Sequence, residues 1–194
     1  MLADGVAGRS GVVRVIGLPG GGILASWSAH DDTIFGLDFS RDGTQVVTAG
    51  GDRLIKVWDL ATHREVSRLE GHGAQVLSVA FNADATEVVS GGADKELIVW
   101  DVKTREKISR LGNPASAVHA VSWPGEGKAI VAATSGGGVF AYTNLQRHAG
   151  TERSKGGDEK KVGEVAGTIL SAASTPEADP IFVGGQDGQV QVWK

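Results

Sequence analysis

The chain has 194 residues, 29 of them Gly, none of them Cys, and a formal net charge of −4. Without Cys there is no disulfide framework, thiolate zinc site, iron–sulfur cluster or Cys nucleophile. The mildly acidic balance argues against a general nucleic-acid surface, and a Gly share about twice the usual ~7% points to many tight turns.

In chain order, the N-terminus MLADGVAGRSG lacks a basic region followed by an apolar one, so no signal peptide is visible and a cytoplasmic location is the default reading. No apolar run approaches the ~18 residues of a membrane span. Leading strands are predicted within 1–18, and GLPGGG at 17–22 is a turn cluster. Four apolar stretches follow, TIFGLDF (33–39), QVLSVAF (75–81), AVHAVSW (117–123) and TILSAAS (168–174). Each leads through a turn, SRDG, NADA, PGEG or STPEADP, into a β-branched run: QVVTAG, EVVSGG, AIVAAT or IFVGG. A third strand then ends at Trp58, Trp100, Tyr142 or Trp193, with Ile16 in the same place in the leading segment. The spacings between these five are 42, 42, 42 and 51. Six residues before each stand Ser10, Asp52, Asp94, Gly136 and Asp187. No segment holds a 3.6-residue apolar period, so the chain reads as all-β, in units of four short strands.

One stretch breaks the period. QRHAGTERSKGGDEKKVG (146–163) holds the additional residues and mixes Arg147, Arg153, Lys155, Lys160 and Lys161 with Glu152, Asp158 and Glu159. It is expected to be a solvated surface insertion between the third and fourth strands of a sheet.

The Gly-His pair, the Gly-Gly-x-Asp turn and the terminal Trp-Asp resemble the WD40 repeat family. The markers are fullest at 23–59 and 65–101, thinner at 107–142, and end in Trp-Lys in the unit 162–194. The resemblance implies a single domain over 1–194, a β-propeller of four-stranded antiparallel sheets. At this length it would be an open arc of four to five blades, a partial array of about four repeats and a fragment of a longer bacterial protein.

His72, Ser90 and Asp94 look like a hydrolytic triad, yet the set recurs 42 residues earlier as His30, Thr48 and Asp52. Recurrence in adjacent repeats argues against catalysis. The resemblance instead implies two structural tetrads, His30–Thr48–Asp52–Trp58 and His72–Ser90–Asp94–Trp100. Ser10, Gly136 and Tyr142 cannot complete such a set. Asp31, Asp32, Asp38 and Asp42 lack calcium-loop spacing, PGEGK (124–128) lacks the leading Gly of a phosphate loop, and His119 and His148 have no second ligand at metal spacing. Trp27 and Trp123 lack a basic stripe and read as packing residues. No metal or cofactor is expected.

The family resemblance implies an interaction scaffold that binds a protein or peptide, without enzymatic activity. Its contact positions carry over to the rim residues Thr33, Phe35, Gln75, Leu77, Ala117, His119, Thr168 and Leu170, with the turn positions Gly51, Ala93, Ser135 and Gln186. Phe35 and Leu77 matter most, since an exposed apolar rim side chain would anchor a partner. Strand alternation alone does not decide between rim and core there. The other reading is an accessory propeller domain of a larger protein or enzyme, such as a chain with c-type haem modules, with no catalysis in this segment. Unpaired strand edges would allow self-association.

Overall fold

The computed structural model describes residues 2–6, 10–124, 129–143, 145, 158–174 and 181–193. Among them every regular element is a strand, and no helix is long and apolar enough to cross a membrane. The strands form five antiparallel sheets, each built of consecutive hairpins. The first holds β1 (Leu2–Val6), β2 (Gly11–Ile16) and β3 (Ile23–His30). The second holds β4 (Ile34–Phe39), β5 (Gln45–Gly50), β6 (Leu54–Asp59) and β7 (Arg64–Glu70). The third holds β8 (Val76–Phe81), β9 (Glu87–Gly92), β10 (Leu97–Asp101) and β11 (Lys107–Arg110). The fourth holds β12 (Val118–Ser122), β13 (Ala129–Thr134), β14 (Gly138–Thr143) and β15 (Asp158–Glu164), and the fifth β16 (Ile169–Ser174), β17 (Ile181–Gly185) and β18 (Val190–Trp193). This is the expected all-β propeller architecture. Three sheets have four strands, and the first and last show three among the described residues.

Sheets stack face to face in chain order, so a middle strand is apolar on both sides. In β5, Val46 faces the first sheet beside Val13 and Trp58, while Val47 and Ala49 face the third beside Val79 and Val88. Such double burial explains why β5, β9 and β13 read as β-branched runs without polar alternation. The third and fourth sheets enclose Val89, Leu97, Trp123 and Tyr142, and the fourth and fifth enclose Val131, Val139, Ile169 and Val183.

Turn chemistry fixes the hairpins. The Asp of each Trp-Asp caps the turn into the outermost strand. Asp59 accepts the Thr62 N–H at 2.7 Å, and Asp101 accepts that of Thr104 at 2.6 Å. In the Gly-x-Asp turns, the position after the Asp lies in the left-handed region, at Arg53 (φ 70°), Lys95 (φ 67°) and Gly188, as does Gly137 at the matching place in the fourth sheet.

The polar insertion needs one correction. Its C-terminal part, 158–163, is not a loop but most of β15, which pairs with β14 from Gly138↔Glu164 to Thr143↔Asp158. An outermost strand needs only backbone pairing along one edge, so DEKKVGE carries no apolar alternation to mark it. Residues 146–157, with His148, and the 125–128 part of the PGEGK stretch lie outside the described residues.

Candidate functional site

The innermost strands β4, β8, β12 and β16 line one cavity of about 670 Å³. Each carries a β-bulge at the same place. Pairing between β4 and β5 jumps from Ile34↔Gly50 to Gly36↔Ala49, leaving Phe35 without a cross-strand partner. The same skip isolates Leu77 between Val76 and Ser78, His119 between Val118 and Ala120, and Leu170 between Ile169 and Ser171. A bulge bends its strand and re-aims the additional residue. All four of these residues line the cavity. Phe35 is 45% exposed and Leu170 56%, while Leu77 and His119 are half-buried.

The remaining rim positions are drawn together by one backbone bond per sheet. The N–H of Gly51 donates to the carbonyl of Thr33 at 2.8 Å, that of Ala93 to Gln75 at 2.9 Å, that of Ser135 to Ala117 at 2.9 Å, and that of Gln186 to Thr168 at 2.9 Å. Each bond closes the second-to-third-strand turn onto the entry of the innermost strand, beside the bulge. Gln75 and Gln186 are exposed, and the other six are half-buried.

Asp38 was outside the rim set suggested by the family resemblance. It is the only carboxylate on the described cavity wall. Its oxygens accept the backbone N–H groups of Phe39 and, from the next sheet, Phe81, each at 2.9 Å. Burial pushes its carboxyl above the ordinary value, and those two N–H groups oppose the shift. A smaller link repeats one sheet on, where Ser78 Oγ accepts the Val121 N–H at 3.0 Å.

Behind the rim lie the two polar sets. In the second repeat of the pair, His72 Nδ1 lies 2.8 Å from Asp94, His72 Nε2 lies 2.7 Å from Ser90 Oγ, and the Trp100 indole donates to the same Oγ at 2.8 Å. In the first, His30 Nδ1 lies 2.9 Å from Asp52, His30 Nε2 lies 2.7 Å from Thr48 Oγ1, and Trp58 donates to Thr48 Oγ1 at 3.0 Å. An ionised carboxylate only accepts, so Nδ1 carries the proton of a neutral ring and the hydroxyl donates to Nε2. Burial holds both imidazoles below their ordinary value, against the pull of Asp52 and Asp94. Burial raises the Asp94 carboxyl, but bonds from the Glu96 and Gly73 N–H groups and from His72 bring it below its ordinary value.

The likeness to a hydrolytic triad ends at access. Ser90 is fully buried and the His72 side chain has no exposed surface. Ligand-type atoms of His72, Asp94 and Glu96 lie within 4.8 Å of one another. Both nitrogens of that ring are already bonded, and Glu96 pairs with Arg110 at 2.6 Å.

The third repeat is held differently. Ser116 Oγ accepts the Gly136 N–H at 2.9 Å in place of an Asp cap. The Tyr142 hydroxyl is pushed up by burial and by Glu159, which also hydrogen-bonds to it and stands directly across from it on β15. That partner falls in the stretch read as insertion, so the sequence carried no signal for it.

Comparison with known proteins places residues 21–59 and 63–101 under the family model "WD domain, G-beta repeat". The chain is 38% identical over 50 residues to Cell division cycle protein cdt2 of Schizosaccharomyces pombe, covering 26% of this chain and 10% of that protein. It is 39% identical over 46 residues to WD repeat-containing protein 1 of Xenopus tropicalis, covering 24% and 8%. It is 43% identical over 44 residues to a guanine nucleotide-binding protein subunit beta-like protein of Encephalitozoon cuniculi, covering 23% and 13%. The matched stretch thus spans about a tenth of these relatives.

Proposed function

We propose that this chain, which carries WD40 repeats at residues 21–59 and 63–101, is an interaction module that holds a peptide segment of a partner protein at the cavity mouth. One observation carries the reading. Four bulges at equivalent positions turn Phe35, Leu77, His119 and Leu170 onto one cavity. Bulges recur where a side chain must be re-aimed, and exposed aromatic and aliphatic side chains around a concavity serve as binding anchors. Thr33, Gln75, Thr168, Ser135 and Gln186 supply the polar side chains of the rim, with the small residues Ala117, Gly51 and Ala93 between them. The reading assigns no catalysis to the two polar sets, which hold the turns behind that rim.

The test is selection of a displayed random-peptide library on the chain, followed by affinity measurement on the Phe35→Asp/Leu77→Asp variant. The enriched peptides are expected to bind the variant at least tenfold more weakly, while its thermal unfolding stays cooperative. Equal affinity for both proteins would remove this rim from consideration.

A further inference from the structure

The cavity wall carries charge of one sign. Among the described residues that line it, Asp38 is the one carboxylate, His119 is the one other ionisable side chain, and none is Lys or Arg. The chain as a whole has a formal net charge of −4. A concave site with one sign of charge between low-dielectric walls draws in the opposite charge.

Stacking of the sheets does not require a carboxylate at this place. The residues that match Asp38 in the other units are Ala80, Ser122 and Ala173. The third and fourth sheets enclose their common core with Ala80 and Ser122 at that position, and the fourth and fifth do so with Ser122 and Ala173. Asp38 lies at the joint of β4 and β8, because it reaches the Phe81 N–H on β8.

The carboxylate is half-buried and only partly used. Oδ1 accepts the Phe39 N–H and Oδ2 accepts the Phe81 N–H, each at 2.9 Å. An ionised carboxyl has about four lone-pair sites, so about two are left. Burial acts against its charge, and the groups that oppose burial are those two neutral N–H dipoles. A carboxylate in that position gains most from a ligand that brings a positive charge and its own N–H donors.

The mouth sets the shape of such a ligand. Phe35 stands three residues before Asp38 on β4, at the bulge that turns it onto the cavity. Three residues of strand span about 10 Å. From a backbone held at the mouth, that distance is bridged by a long side chain together with the reach of the Asp38 carboxyl. An apolar stem suits Phe35 and Leu77, and the face of an aromatic ring attracts a cation passing over it. We infer that the peptide segment held at the mouth inserts a Lys or Arg side chain into the cavity and pairs it with the Asp38 carboxylate. The inference rests on the peptide-binding reading and adds the chemistry of the residue that enters.

Peptides selected on the unaltered chain are expected to share a Lys or an Arg. Replacing Lys by norleucine, or Arg by citrulline, keeps the stem and removes the charge, and is expected to weaken binding by about tenfold or more. The same replacement is expected to have little effect on Asp38→Asn. It is expected to keep its full effect on Asp31→Asn/Asp32→Asn, which removes two exposed carboxylates just before β4. Peptides that need Phe35 and Leu77 yet tolerate the neutral replacement overturn this inference and leave the peptide-binding reading standing. A full effect that persists on Asp38→Asn, or that disappears on Asp31→Asn/Asp32→Asn, also overturns it. Failure to enrich any peptide counts against the peptide-binding reading instead, and a second measurement then decides on Asp38 alone. Millimolar butylguanidinium is expected to lower the NMR titration midpoint of the Asp38 side-chain carbon in the unaltered chain. Neutral butylurea is expected to leave it in place, and the exposed Asp42 is expected to respond to neither. An Asp38 midpoint that butylguanidinium does not move overturns the inference.

Discussion

Asp38 Oδ2 accepts the backbone N–H of Phe81, on the adjoining sheet, at 2.9 Å. The bond joins β4 to β8 at the cavity wall. The carboxyl is half-buried, and burial raises it above the ordinary 3.8. For a folded value above the unfolded one, the contribution to stability is present below 3.8 and is lost as pH rises through the raised value. The Asp38 side-chain carbon, followed by NMR, is expected to titrate above 3.8, and Asp38→Asn is expected to remove that part of the pH dependence. A midpoint at or below 3.8 would contradict the burial argument.

Ser90 is the shared node of its set, accepting from Trp100 and bonded to His72. Ser90→Ala strands a buried indole N–H and a buried ring nitrogen, at a cost of about 2–4 kcal/mol. Thr48→Ala has the same effect at His30 and Trp58, whereas Thr48→Ser keeps the hydroxyl and most of the stability. Denaturant titration of the three variants checks the order. A Ser90→Ala loss below about 0.5 kcal/mol would mean that water satisfies both groups.

His30 and His72 are held neutral by burial, below the ordinary 6.5. Unfolding lets them take up protons, so their contribution is complete above 6.5 and is lost as pH falls through the depressed folded values. Urea midpoints are expected to decline from about pH 7 toward pH 5. A His30→Asn/His72→Asn variant starts less stable and shows a flatter profile in that window. An equally steep profile in the variant would place the titrating group elsewhere.

Gly36 follows the first bulge, and a Cβ there would lie 2.9 Å from the Ser78 Cα and 3.1 Å from the Val79 N. Both are backbone atoms of the adjoining sheet and do not rotate away. Gly36→Ala is expected to cost about 1–3 kcal/mol by forcing β4 and β8 apart. It should also weaken the peptides selected on the cavity mouth. Unchanged melting would show that the sheets give way freely.

Resemblance to the WD40 family implied the grouping of His30 with Thr48, Asp52 and Trp58, and the sequence by itself determined the all-β class and the 42-residue unit. Those features are local: turn residues, β-branched runs and fixed offsets write them along the chain. Tertiary structure decided the rest. Phe35 and Leu170 face the cavity because the strand register skips there, and alternation of side chains does not encode a skip. Asp38 meets Phe81 across two sheets, in a contact that exists only after stacking. Asp158–Glu164 is a strand because β14 offers it an edge, and Glu159 reaches Tyr142 only on that edge. Backbone pairing at an edge depends on the neighbouring strand and asks little of the side chains, so it leaves almost no mark in the residues themselves.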